Sequence, residues 1–180
     1  MQSVVLLLFL ASAVSAQSFL RNDITFSGGT SWDVSNYSQY VTVVSLGATY
    51  GYRITRTIEL EAGAFGAINP MEGSCGFNGC FTPDSRAIWV PFGVRFVLPL
   101  KHDRFELSAG VGGLYENISG GGYSYNSYNA FGGYVKTSAA VALDHGRHFW
   151  LGATPRIMLA NGQYARDRWF MLTGDIGFRF

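Results

Sequence analysis

The sequence predicts an all-β chain: eight antiparallel strands wound into an up-and-down transmembrane β-barrel, preceded by a signal peptide. Three observations predict it. Apolar and polar residues alternate with period two through eight separate segments, as in strands whose two faces meet different surroundings. Every charge inside those segments falls on one face. The connections run alternately long and short, which a bilayer-crossing barrel requires and a soluble meander does not. Composition agrees. At 48 % hydrophobic and 16 % aromatic with 23 glycines, the chain is neither disordered nor helix-rich in pattern. A net charge of +1 gives no sign of a nucleic-acid partner.

Residues Met1 to Ala16 read as the signal peptide and 17–180 as one barrel domain. Val4 to Leu10 is a short apolar run, and Val14-Ser15-Ala16 offers small residues for cleavage before Gln17. No Lys or Arg precedes the run. Beyond Ala16 no apolar stretch approaches the ~18 residues of a membrane-spanning helix.

The first strand is Asp23 to Gly29, and the polar stretch Ser31 to Tyr40 is read as a loop. In strand two, Val41 to Arg53, Val44, Leu46, Ala48, Tyr50 and Tyr52 oppose Ser45, Gly47, Gly51 and Arg53. A turn at Ile54 to Arg56 leads into strand three, Thr57 to Phe65, with Ile58, Leu60 and Ala62 opposite Glu59, Glu61 and Gly63. Gly66 to Arg86 holds Pro70, Pro83 and both cysteines and is the longest loop. Strand four, Ala87 to Leu98, sets Ile88, Phe92, Val94, Phe96 and Leu98 against Trp89, Pro91, Gly93 and Arg95. After the turn Pro99 to Asp103, strand five, Arg104 to Tyr115, opposes Phe105, Leu107 and Val111 to Glu106, Gly110 and Gly112. Glu116 to Ala130 is rich in Gly, Ser, Asn and Tyr and is read as a loop. Strand six is Phe131 to Leu143, strand seven His148 to Leu159, and Asp144 to Arg147 turns between them. Ala160 to Arg168 is the fourth loop before strand eight, Trp169 to Phe180.

The charged face collects Asp23, Glu59, Glu61, Glu106 and Asp175 with Arg53, Arg95, Lys136, Arg156 and Arg179, five acids and five bases. A charge on a lipid face costs about 2–4 kcal/mol near the bilayer midplane, which explains its exclusion from the apolar side. The oily face therefore points outward and the charges point in. A soluble barrel, the architectural rival, inverts this arrangement. Eight strands enclose too little space for an open pore, so the lumen is expected to be a plug in which opposite charges pair. Asp23 and Arg53 lie near strand ends and are expected to be solvated. Inward glycines such as Gly47, Gly51 and Gly110 leave room for the long side chains.

Cys75 and Cys80 are the only cysteines. Export to an oxidising compartment favours a local disulfide between them; a metal site lacks further ligands nearby.

The signal, the eight alternating strands, the loop asymmetry and the terminal aromatic residue resemble the small outer-membrane barrels of the OmpA/OmpX type. The resemblance covers nearly all of residues 17–180. It implies residence in the outer membrane of a Gram-negative bacterium, contact with its lipid, and insertion by the barrel-assembly machinery. It also implies that Phe178 and Phe180 belong to the assembly signal. Some barrels of this size modify lipid A, which takes a Ser, a His base and an orienting acid. Here His102, His145 and His148 all fall in or beside the short turns, so no catalytic residue is assigned. No cofactor and no metal site is expected: His145 and His148 share a turn with no third ligand. The reading is a structural or surface-interaction protein with a plugged lumen, presenting an extracellular partner with its loops. A narrow channel, a carrier of hydrophobic ligands, or a lipid A-modifying enzyme are the alternatives.

Overall fold

The computed structural model describes residues 20–34, 42–68, 74–76, 79–81, 85–100, 103–120, 127–161 and 166–180. The signal-peptide reading of Met1 to Ala16 lies outside these residues. The strands are β1 (Asn22–Asp33), β2 (Val43–Arg53), β3 (Ile58–Ile68), β4 (Ser74–Gly76), β5 (Gly79–Phe81), β6 (Ser85–Leu100), β7 (Phe105–Gly120), β8 (Tyr128–Ala142), β9 (Phe149–Asn161) and β10 (Arg166–Arg179). Eight of them close a barrel in the order β1-β10-β9-β8-β7-β6-β3-β2, and β4 pairs with β5 in a separate hairpin. All pairings in the barrel are antiparallel. The seam is β1 against β10, from Asp23 opposite Arg179 to Asp33 opposite Trp169.

The period-two pattern sets which side chain meets which medium. Leu46, Phe92, Val111, Val135, Leu151 and Ile176 stand exposed on the outside, while Glu59, Glu61, Trp89, Arg156 and Asp175 are buried inside. An apolar outer band of this kind, continuous around the wall, is what hydrocarbon solvates and water does not. No helix among the described residues is long and apolar enough to cross a membrane.

The strands run further at the loop end than composition indicates. Ser31 to Asp33 extend β1, β3 continues to Ile68, and β6 begins at Ser85. Both ends of the expected loop Glu116 to Ala130 are strand, because β7 reaches Gly120 and β8 starts at Tyr128. At the expected fourth loop β9 runs on to Asn161 and β10 already begins at Arg166, so Ala160, Asn161 and Arg166 to Arg168 are strand. Polar residues hold these extensions together. Ser31 Oγ lies 2.6 Å from Ser45 Oγ, and Asn129 Oδ1 accepts from Tyr115 Oη at 2.8 Å and Asn117 Nδ2 at 2.7 Å. Trp32 stacks on Phe170 with ring centroids 5.5 Å apart. Beyond the hydrocarbon a ladder needs no apolar alternation, so an Asn/Ser/Tyr-rich stretch reads as loop while pairing as strand.

The opposite end is tied by charge. Asp103 takes ion pairs from Arg56 and, at 2.6 Å, from Arg147, joining three successive turns. Asp103 and Arg147 occupy the left-handed region at φ 63° and 61°. In the β8–β9 turn the Phe149 amide donates to Asp144 Oδ1 at 2.8 Å and holds that carboxyl below its ordinary pKa.

Candidate functional site in the barrel lumen

The inward residues form two storeys. Toward the turns sits a cyclic arrangement of six charges of alternating sign, one from each of six strands. Arg179 Nε bonds Asp23 Oδ2 at 2.7 Å, and its Nη1 and Nη2 grip both oxygens of Glu106 at 2.7 and 2.6 Å. Arg53 bridges Glu106 at 2.9 Å and Glu59 at 3.1 Å. Arg95 reaches Glu59 at 2.7 Å and closes the ring on Asp23 at 3.9 Å. Each charge has an opposite charge on either side, so the low dielectric of the lumen strengthens the attraction while no member stands alone. The guanidinium of Arg179 also lies 3.9 Å over the Trp150 ring.

Above the ring, Glu61 accepts from Lys136 Nζ at 2.5 Å and from Tyr134 Oη at 2.7 Å. Asp175 takes hydroxyl bonds from Thr173 and Thr154. Arg156 lies 4.1 Å over the Phe65 ring, with Nη1 3.4 Å from Met171 Sδ. The sequence-predicted network thus comes together in parts: Arg53, Glu59, Arg95, Glu106 and Arg179 join Asp23 in the ring, Glu61 and Lys136 make a separate pair, and Asp175 and Arg156 make no salt bridge among the described residues. Asp23 and Arg53 are 4 % and 6 % exposed, not solvated as their places near strand ends indicate. The reason is the ring itself: Arg179 and Arg95 close over Asp23, and Glu59 and Glu106 close over Arg53.

The glycines do make the room. A Cβ on Gly51 would sit 2.1 Å from Glu59 Oε1, a carboxylate already fixed by Arg53 and Arg95. Gly51→Ala is therefore expected to lose about 1–3 kcal/mol through overpacking. Gly174→Ala, whose nearest neighbour would be 3.9 Å away, is expected to be neutral. Urea unfolding of both variants in lipid vesicles checks the contrast.

The upper storey departs from the expected plug of charges. Phe65, Trp89, Leu114, Ile118, Met158, Trp169 and Met171 pack there as an apolar core, each no more than 2 % exposed. Trp89 and Trp169 meet edge to face at 5.1 Å and 69°. Glu116 and Asp167, read from sequence as loop residues, lie inward near these two indoles at 0 % and 3 % exposure. Their parity with Glu106 and with Trp169 is the signal that would have found them. Lumen and exterior are thus both partly apolar, and only the turn-side half is a salt-bridged plug.

Cys75 and Cys80 stand directly opposite each other in the β4–β5 register. Phe178 and Phe180 lie on the outer face, their rings stacked 5.8 Å apart, and Phe178 also packs on Phe149 at 5.1 Å. His145 and His148 are at the turn end, His148 Nδ1 2.9 Å from the Arg179 carbonyl oxygen; His102 lies outside the described residues. No group of three or more metal-ligating side chains occurs among the described residues.

No family model matches the sequence, and no curated protein matches it. Solved structures do match in fold. The Neisserial surface protein A (NspA) superposes with a TM-score of 0.71 at 13 % identity, over 88 % of this chain and 97 % of that one. The outer-membrane protein OprG from Pseudomonas aeruginosa gives 0.63 at 14 % identity, over 91 % and 98 %. Ail, the attachment invasion locus protein of Yersinia pestis, gives 0.53 at 10 % identity, over 88 % and 97 %. The fold is therefore that of the small eight-stranded outer-membrane barrels.

Proposed function

We propose that the chain is an integral outer-membrane barrel whose lumen is sealed, and whose work is structural or done at the surface through its loops. The observation that carries this reading is the division of media: an apolar wall outside, and inside it a charge ring beneath a packed apolar core. Such an interior supports neither a wide conduit nor a substrate cleft. The wall fits contact with outer-membrane lipid, and Phe178 and Phe180 at the end of the seam strand fit recognition by the barrel-assembly machinery. The name of Ail speaks of attachment, which supports a surface role for a barrel of this shape. The position of His145 and His148 at the turn end supports a non-enzymatic reading.

Membrane fractionation with a heat-modifiability gel tests it. The protein is expected in the outer-membrane fraction and to change migration on boiling; a monodisperse species in detergent-free buffer would end the reading. Deletion of residues 69–84, which carry the β4–β5 hairpin, is expected to abolish surface-partner binding and leave the barrel folded.

The same hairpin carries the disulfide reading. Directly opposed residues of an antiparallel pair lie roughly 4.5–5.5 Å apart at Cα, inside the roughly 4.4–6.8 Å that a disulfide spans. The Cys75–Cys80 register meets that requirement. Protein taken from the membrane and alkylated without reductant is expected to stay unlabelled, and to take two labels after reduction. Labelling without reductant would show the thiols free.

A further inference from the structure

The loop-end storey holds two acids in contact. Glu116 is 0 % exposed, and neither of its carboxyl oxygens receives a hydrogen bond from a described donor. The Asp167 carboxyl, 3 % exposed, lies within hydrogen-bonding reach of it, and the indoles of Trp89 and Trp169 stand beside the pair. The contact crosses the lumen, because β8 and β9 separate β7 from β10 in the wall.

The strands around this pair bring it no cation among the described residues. On β6 and β10, Arg86 and Arg168 are exposed on the outer side. On β9, Arg156 lies over the Phe65 ring, with Nη1 toward Met171 Sδ. On β8, Tyr134 and Lys136 both donate to Glu61 of β3. Arg53 of β2, Glu59 of β3 and Glu106 of β7 are bound in the turn-side ring. On β1, Asp33 stands opposite Trp169 and adds acid. A metal ion would find too few ligands, since no group of three metal-ligating side chains occurs among the described residues.

Two carboxylates in contact within an apolar core cannot both carry charge. Each repels the other, and burial penalises both. One proton between them turns the repulsion into a hydrogen bond between an acid and its conjugate base.

We propose that Glu116 and Asp167 share one proton across the lumen, and that this proton holds the loop-end storey shut as a switch released by alkali. The inference rests on the sealed-lumen reading. In the unfolded chain both groups are ordinary carboxyls, so the folded pair binds the extra proton. Stability therefore falls as pH rises past the ordinary carboxylate range, and levels off once the folded pair has ionised.

The test is an infrared titration of the full barrel in lipid vesicles, read at the carbonyl band of a protonated carboxyl. An ordinary Glu or Asp is ionised well below pH 7, with a pKa of about 4, whereas a buried Glu can keep its proton to about pH 8–9. The band is expected to persist in the wild type at about pH 7 and to fade above about pH 9. Glu116→Gln is expected to lack it at about pH 7, where a lone Asp167 is ionised. The urea midpoint is expected to fall on raising the pH from about 6 to about 9 in the wild type, and this fall is expected to shrink in Glu116→Gln. If that variant does not fold, Asp167→Asn breaks the pair from the other side, and the wild-type band stands as a test by itself. A wild-type spectrum without the band at neutral pH, a band that a folded variant keeps, or equal pH slopes in wild type and variant would overturn the proposal. The change of migration on boiling reports the barrel reading separately, so its failure is distinguishable from that of the shared proton.

Discussion

Glu59→Ala is expected to lose about 3–5 kcal/mol of folding stability, the cost of breaking a buried ion pair from one side. Glu59 is 1 % exposed and joins Arg53 to Arg95. Without it Arg53 keeps only Glu106, and Arg95 keeps only the 3.9 Å contact to Asp23. The ring would then hold three guanidinium groups, of Arg53, Arg95 and Arg179, against the two carboxylates of Asp23 and Glu106. Urea unfolding in lipid vesicles measures the loss. Arg95→Met combined with Glu59→Ala is expected to recover part of it, since the second change removes a stranded charge. A loss below about 1 kcal/mol, the range of solvent-exposed pairs, would show the ring to be wetted.

Val111→Arg is expected to lose about 2–4 kcal/mol in a bilayer, for the opposite reason. Val111 projects outward, 52 % exposed, and is paired with Val94 on one side and Val135 on the other. These three valines lie midway along their strands, where hydrocarbon is deepest. Leu98→Arg, on the same outer face but close to the β6–β7 turn, is expected to cost only about 0–1 kcal/mol, because the side chain reaches the headgroups. The difference between the two variants is the decisive quantity. Equal costs would mean that the wall has no depth profile and that water, not lipid, surrounds it.

How much of this could be read beforehand differs between wall and interior. Period-two alternation gives the side of every residue from Val44 to Tyr52 and from Phe170 to Phe180, because lipid and lumen impose opposite chemistries on neighbouring positions. The same contrast vanishes above the membrane, and there the reading stops too soon. Ser31, Glu116 and Asp167 read as loop residues although their backbones continue the ladders. Pairings inside the lumen were not legible either. That Arg53 meets Glu106, 53 positions away, depends on strand tilt and on the distance across the barrel. Neither quantity is written in a local pattern. Trp89 and Trp169 share the polar parity with Arg95 and Asp175, so a face test built on charge passes over the apolar core they form.

The bond between Arg179 and Asp23 joins positions 156 apart in the chain. A chain that passes Glu106 but stops short of Arg179 leaves the ring with three acids, Asp23, Glu59 and Glu106, against the two bases Arg53 and Arg95. Such a fragment cannot mature by degrees: the first and final segments must meet before the interior is neutral. Insertion should therefore look like the snapping of a clasp, with early-terminated chains recovered as open, protease-sensitive sheets.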